Sequence, residues 1–262
     1  MINFLHNFSP QAVLFDFGWF KIYWYGVFIV LGIIAGLNVV LRLAKKNQIN
    51  SEEVYNLGFY LIIFSLIGAR IYAVFLDLPY YLQNPEEIIA VWHGGLAIHG
   101  GILGGALTLI IYSYKKNQSF WKWADIIAPA IALGQTIGRF GNYFNQELFG
   151  TPTSLPWGIP IDLPNRPLSY LSARYFHPTF LYESILNLVN FLILIFVWER
   201  GVKKSGIIFG IYLINYSIIR ILMEFLRTDK APELLGIRWP VLMSLGLIIF
   251  GLTLVFKRKI KK

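Results

Sequence analysis

Apolar runs of spanning length recur along this chain, and they constrain its fold more than any other feature. In hydrocarbon no water can satisfy the backbone, so only helices and closed barrels cross a bilayer. A helix needs roughly 20 mostly apolar residues to do so. Candidate spans fall at 20–41, 54–76, 95–114, 124–140, 178–198, 205–225 and 238–256. The fourth is the weakest, being short and holding Gly134, Gln135, Gly138 and Arg139. The expectation is an all-α polytopic membrane protein, residues 1–262 forming a single integral membrane domain of about seven helices, with six as the fallback. Composition agrees. Hydrophobic residues make up 56% of the chain and charged ones 14%, against about 25% charged in a soluble domain.

The basic residues give an orientation, because cytoplasmic loops carry an excess of Lys and Arg. With seven spans, one side receives Arg42, Lys45 and Lys46; Lys115, Lys116 and Lys122; Arg200, Lys203 and Lys204; and the tail Lys257, Arg258, Lys259, Lys261 and Lys262. That side is expected to be cytoplasmic, with the N-terminus outside and the C-terminus inside. The net charge of +9 therefore reads as topology and anionic-lipid contact, not as nucleic-acid binding. Residues 1–19 carry no basic residue, so the first apolar run is expected to be a retained helix, not a cleaved signal. Segment 141–177 contains Pro152, Pro156, Pro160, Pro164 and Pro167, too many for a regular helix. It is expected to form an irregular extracytoplasmic head. Segment 77–94 reads as a second outer loop with room for a helix at the interface. No internal repeat is evident, which weakens an inverted-repeat transporter reading.

Charges inside spans are costly and mark functional sites by default. Four stretches stand out, all in the outer half of the membrane under this topology. In 138–150, a continued helix would align Arg139, Asn142 and Asn145, with Glu147 beside them to pair with the arginine. An arginine fork with amide donors can hold a phosphate oxygen. In 220–227, Arg220, Glu224 and Arg227 share a face, so Glu224 can hold both guanidiniums. His99 lies in the Gly-rich run 93–101, where a histidine can accept and return a proton and glycines admit another backbone or a headgroup. Tyr25 lies in Tyr23-Trp24-Tyr25-Gly26, which otherwise reads as an interfacial aromatic belt. Arg70 and Asp125 read as a structural pair. The other four-residue glycine spacings (Gly32/Gly36, Gly134/Gly138, Gly206/Gly210) read as close helix packing.

There is no Cys, hence no thiolate metal site, and the four histidines lack zinc-ligand spacing. No cofactor or metal is expected. No GxSxG, HExxH or Walker motif occurs. The residues thus reach a bilayer-embedded site suited to an anionic phospholipid. They leave open a lipid transporter, a lipid-presenting receptor and a headgroup enzyme such as a phosphatase.

Run Gly138–Gly150 resembles the signature G-R-x-G-N-F-x-N-x-E-x-x-G of the prolipoprotein diacylglyceryl transferases, with Tyr143 where Phe is usual. Trp24-Tyr25-Gly26, Gly95–Gly101, His177-Pro178 to Tyr182-Glu183, and Arg220 to Arg227 match further family segments in order, with Phe180 where Gln is usual. The resemblance implies a bacterial inner-membrane enzyme. It would move the sn-1,2-diacylglyceryl group of phosphatidylglycerol to the lipobox cysteine thiol of a preprolipoprotein signal peptide, releasing glycerol 1-phosphate. The absence of Cys fits, since the attacking thiol belongs to the substrate. Essential positions implied by the resemblance fall on Tyr25, His99, Arg139, Asn142, Glu147, Gly150, Arg220 and Glu224. On that basis His99, Tyr25, Arg139 and Arg220 are candidate catalytic residues. Arg139, Asn142, Asn145, Glu147, Gly150, Arg220, Glu224 and Arg227 are candidate substrate-binding residues, with Glu147 and Glu224 holding the arginines in register.

Overall fold

The computed structural model describes residues 2–201, 204–229 and 231–260, with side chains described over the same ranges except at 2–4 and 257–260. Lys203, Lys230, Lys261 and Lys262, and the side chains of Lys257, Arg258 and Lys259, lie outside the described residues. The chain is mostly helical. Its elements are α1 Ile2–Asn7, β1 Val13–Asp16, β2 Lys21–Tyr23, α2 Trp24–Lys46, α3 Ser51–Leu76, α4 Leu78–Gln83, α5 Ile98–Lys115 and α6 Phe120–Phe144. Then follow β3 Ile159–Pro160, β4 Tyr175–Phe176, α7 Thr179–Glu199, α8 Ile207–Glu224, β5 Glu233–Leu234, β6 Ile237–Arg238 and α9 Trp239–Ile260.

Among the described residues, five helices are long and apolar enough to cross a membrane: α2, α3, α7, α8 and residues 239–256 of α9. In none is more than 44% of the apolar window buried inside the protein, so most of those side chains point outward. The other two expected spans form α5 and α6, which fall outside this set. Helix α5 opens on His99 and four glycines and ends Tyr-Ser-Tyr-Lys. Helix α6 carries Lys122, Asp125, Gln135 and Arg139. The first helix also starts later than the apolar run that begins at Phe20. Residues 21–23 pair antiparallel with β1 in the register Val13↔Tyr23, Phe15↔Ile22, Asp16↔Lys21, and Lys21 Nζ lies 3.1 Å from Asp16 Oδ2.

Chain contacts resolve two compact units, residues 40–126 and residues 1–39 with 127–262. In the first, α3 and α5 meet through glycine. A Cβ on Gly68 would lie 2.5 Å from the Gly100 carbonyl oxygen, and Cβ atoms on Gly100 and Gly104 would strike the carbonyls of Gly68 and Phe64. The glycines around His99 thus admit the α3 backbone. Asn50 caps α3 by accepting from the Glu52 amide at 3.2 Å. Tyr112 Oη donates to the Glu53 carbonyl at 3.0 Å, and fully buried Trp123 donates to Gln118 Oε1 at 2.6 Å. Arg70 forms no carboxylate pair with Asp125. Its guanidinium donates instead to carbonyls of the loop that follows α4.

The second unit repeats the small-residue device. A Cβ on Gly32 would stand 3.5 Å from Gly134, and one on Gly36 3.4 Å from the Ala130 carbonyl, so α2 and α6 pack closely. Helices α8 and α9 approach at Gly210 and Gly251. The proline-rich stretch after α6 has almost no regular structure, as its prolines dictate. The two-residue pair β3–β4, short 3-10 turns at Leu163–Asn165 and Leu168–Tyr170, and the isolated bridges Gly150↔Arg227 and Pro152↔Phe176 order its backbone. It nonetheless packs a core: Tyr143, Phe149, Ile159, Ile161, Phe176 and Phe180 are all buried. Gln146 anchors it by donating to the Pro10 carbonyl at 2.9 Å and Asp162 Oδ2 at 2.7 Å, and accepting from the Asp162 amide at 2.7 Å.

Candidate active site

Helix α6 ends at Phe144, and the chain then turns sharply back. Gln146 and Leu148 adopt φ of 51° and 54°, a left-handed conformation uncommon outside glycine. Asn145, one residue past Phe144, still donates its amide to the Gly141 carbonyl at 3.1 Å, so the Arg139–Asn142–Asn145 stripe runs to the helix end. The turn returns Glu147 toward the helix end, where its amide donates to the Asn142 carbonyl at 3.1 Å and its Oε1 accepts from Asn142 Nδ2 at 2.7 Å. Asn145 Nδ2 reaches the same oxygen at 3.5 Å. Glu147 therefore holds an amide, not an arginine. Arg139 Nη1 donates to Asn142 Oδ1 at 3.2 Å, so Asn142 is the relay between the two charges. Gly150 lies where three segments meet. A Cβ there would be 2.8 Å from His177 Cβ, 3.0 Å from Thr179 Cγ2 and 3.1 Å from the Leu226 carbonyl.

The carboxylate beside Arg139 is Glu183 from the first turns of α7, in direct contact with Arg139 Nη2. Its other oxygen lies 3.5 Å from Arg227 Nη1. Arg227 is held further by Asp229, 2.7 Å from its Nε. Glu224 lies 3.0 Å from Arg220 Nη2 and 3.1 Å from Arg238 Nε. The expectation that Glu224 holds both Arg220 and Arg227 is thus half correct. Past α8 the chain turns, giving Arg227 to Glu183 and bringing in Arg238 from the β5–β6 hairpin. Arg238 also donates to the Glu224 carbonyl at 3.3 Å.

Burial sorts these groups. The side chains of Glu183 and Glu224 are 4% and 3% exposed, while Arg139, Arg220 and Arg238 keep 21%, 17% and 23%. The acids sit behind and the guanidiniums in front. Four arginines face three carboxylates, which leaves one positive charge within the paired network. Such a front is suited to one phosphodiester anion. Burial alone would raise the Asp229 pKa, but its bond to Arg227 together with the charges of Arg227, Arg220 and Arg238 outweighs this and holds it below the ordinary 3.8.

The remaining candidates are placed as follows. Tyr25, in the first turn of α2, lies with its ring against Gly141, where a Cβ would be 2.6 Å from Cδ2. It feels the charges of Glu147 and Arg139. His99 belongs to the other unit, exposed in the first turn of α5 with its ring centroid 6.0 Å from that of Tyr72. His93 is exposed and pairs with Glu87 at 3.0 Å. His177 Nδ1 lies 3.3 Å from Tyr182 Oη, which also accepts from Trp157 Nε1 at 2.8 Å; burial lowers the His177 pKa below the ordinary 6.5. Among the described residues no group of three or more His, Asp or Glu could hold a metal ion. Glu183, Asp229 and Arg238 were missed as network members. Glu183 gave a signal, being an acid early in an otherwise apolar run.

The two departures from the family signature touch each other. The Tyr143 and Phe180 rings stack at 4.4 Å with a 25° interplanar angle. Among the described residues the buried Tyr143 hydroxyl has no hydrogen-bond partner.

The family profile described as prolipoprotein diacylglyceryl transferase matches residues 12–257. A phosphatidylglycerol–prolipoprotein diacylglyceryl transferase of Synechococcus elongatus is 43% identical over 249 residues, covering 93% of this chain and 86% of the relative. One of a Nostoc species is 44% identical, covering 93% and 88%. One of Acaryochloris marina is 43% identical, covering 96% and 93%. With a profile match over most of its length and relatives above 40% identity over at least 93% of it, this chain belongs to the prolipoprotein diacylglyceryl transferase family.

Proposed function

We propose that this chain transfers the sn-1,2-diacylglyceryl group of phosphatidylglycerol to the lipobox cysteine of a prolipoprotein signal peptide. The observation that carries the reading is the front of Arg139, Arg220 and Arg238 backed by buried Glu183 and Glu224. In the reaction the substrate thiol loses its proton and its sulfur bonds to the glyceryl C3 carbon. The C3–O bond breaks, and the phosphate leaves on glycerol as glycerol 1-phosphate. A thiolate is the competent nucleophile. Arg139 and Arg220 bind the phosphodiester and stabilise the charge that gathers on the departing oxygen. Asn142 orients the headgroup and is itself held by Glu147, with Asn145 alongside. Glu183 and Glu224 fix the arginines. His99 or Tyr25 takes the thiol proton, an assignment that rests on the family resemblance; the proton can end on the phosphate, so no oxidant or metal is required. Arg227 acts from behind, as a partner of Glu183, and Gly150 keeps the returning chain close.

The orientation is part of the same proposal. Seven spans, α5 and α6 completing the five apolar helices, set the N-terminus outside the bacterial cytoplasmic membrane and the C-terminus inside, with 141–177 as an extracytoplasmic head. The basic residues support this orientation. The test is a transfer assay with purified protein, phosphatidylglycerol and a fluorescent lipobox peptide, read by mass. A cysteine-dependent gain of one diacylglyceryl group, lost with Arg139→Ala in folded protein, is the expected result. Phosphatidylglycerol binding without product would favour a lipid-binding or transport role instead. Near-wild-type turnover by Arg139→Ala would refute the phosphate clamp.

A further inference from the structure

Within unit 40–126 one guanidinium is used to its full capacity. Arginine has five N–H donors in a fixed fork, and each of those on Arg70 meets a different carbonyl. Nε donates to Ile88 at 3.0 Å. Nη1 donates to Gly94 at 2.6 Å and Gly95 at 2.7 Å. Nη2 donates to Ala90 at 3.3 Å and, more closely still, to Glu87. The residue is 6% exposed, and the ring face of buried Tyr81 covers it at 5.1 Å. Among the described residues, carbonyl dipoles and that ring receive its charge.

The acceptors span Glu87 to Gly95, so one side chain of α3 gathers the whole loop that leads into α5. Gly94 and Gly95 have φ of 91° and 68°, which allows two successive carbonyls to point at the same nitrogen. A Cβ on Gly95 would stand 2.5 Å from Arg70 Nη1 and 2.7 Å from Tyr81 Oη, so the cage closes around glycine only. Its neighbours on α3 finish the arrangement. The Ala69 carbonyl accepts from the Ala97 amide at 3.1 Å, and the Tyr72 ring lies beside His99.

We propose that Arg70 is a positioning residue: by holding the 87–95 carbonyl cage it fixes the start of α5 and hence His99 for the transfer reaction. It has no donor left for a phosphate and acts only through the loop. Its effect on transfer rests on the reading of His99 as a group the reaction needs. Lysine would supply the charge with at most three donors on a point-like head, so the fork, not the charge, is what the cage requires.

The experiment compares wild type, Arg70→Ala, Arg70→Lys, Gly95→Ala and His99→Ala, each as full-length protein in nanodiscs. Amide hydrogen exchange over 85–99 and diacylglyceryl transfer are measured, with and without millimolar methylguanidinium. Arg70→Ala is expected to speed exchange in 87–97 about tenfold or more and to lower kcat by a similar factor with little change in KM for phosphatidylglycerol. Methylguanidinium should restore both in Arg70→Ala, while methylammonium should not, and neither should change wild type. Gly95→Ala should match the defect without responding to methylguanidinium. Should Arg70→Ala fail to fold, Arg70→Lys carries the test, with faster loop exchange and lower kcat expected. Unchanged exchange in 87–97 would overturn the proposal, as would a loosened loop with wild-type turnover while His99→Ala is inactive. Full activity in both His99→Ala and Arg70→Ala, with the loop loosened, would refute the reading of His99 and leave the cage intact as a structural fact.

Discussion

Glu183→Gln tests the arrangement of the site most directly, because one buried carboxylate serves two arginines. It touches Arg139 and lies 3.5 Å from Arg227, and its side chain is 4% exposed. At an effective dielectric near 20, a pair of unit charges 3.5 Å apart interacts by roughly 5 kcal/mol. Glutamine recovers part of that by sparing the desolvation of an acid and keeping one acceptor. Removing one partner of a buried ion pair costs about 3–5 kcal/mol, since the other charge remains. Here Arg139 and Arg227 both remain, and they repel. If about 2.7 kcal/mol of that loss appears as misplacement of Arg139 in the transition state, transfer falls about a hundredfold. The assay is steady-state transfer to a lipobox peptide, alongside thermal unfolding of the same preparation. The variant should lose turnover by about two orders of magnitude and unfold at lower temperature. Turnover within about threefold of wild type, or less than about 0.7 kcal/mol in the barrier, would refute the claim that Glu183 sets the arginine front.

Three further outcomes follow from the same contacts. Arg238→Ala should lower transfer about tenfold, a loss of roughly 1.4 kcal/mol, because Glu224 keeps Arg220 but loses its second partner; Arg238→Lys should recover part of the rate. Tyr143→Phe should raise the unfolding temperature with turnover unchanged, since an unpartnered buried hydroxyl costs about 1–3 kcal/mol; a fall in stability would show that the hydroxyl has a partner. Asp229 has its folded pKa below the ordinary 3.8, so the stability it contributes is complete above that value and fades as pH falls through the folded pKa. Asp229→Asn should therefore flatten the loss of thermal stability between about pH 4 and lower pH, and an unaltered acid profile would count against the Arg227 bond.

The sequence made the arginines legible because a guanidinium inside an apolar run is costly and therefore conspicuous. Arg139, Arg220 and Arg227 stand out against their neighbours without any partner in view. What pairs with what was harder, since Glu224 and Arg227 share a helical face on paper, whereas the helix ends at Glu224 and its last partner comes from Arg238 across a hairpin. Helical spacing predicts local partners only while the helix lasts. Arg70 shows the converse. Its charge suggested an acid, but backbone carbonyls can take a guanidinium equally well, and nothing in residue types reveals where carbonyls point. Helices α5 and α6 fall on expected spans, but their polar groups dilute the hydropathy that the other five retain.

The interlaced pairing of the site also sets an order of events during synthesis. Arg139 emerges well before Glu183, and at ~5–20 residues per second that delay lasts roughly 2–9 s. Through that interval the guanidinium lacks its native carboxylate, so headgroup phosphate or water at the insertion site must stand in. Arg227 reaches Glu183 next, and Arg238, just ahead of α9, comes last to Glu224. The ion-pair network can close only when Arg238 has emerged, so a nascent chain stalled before it would leave Glu224 with Arg220 alone.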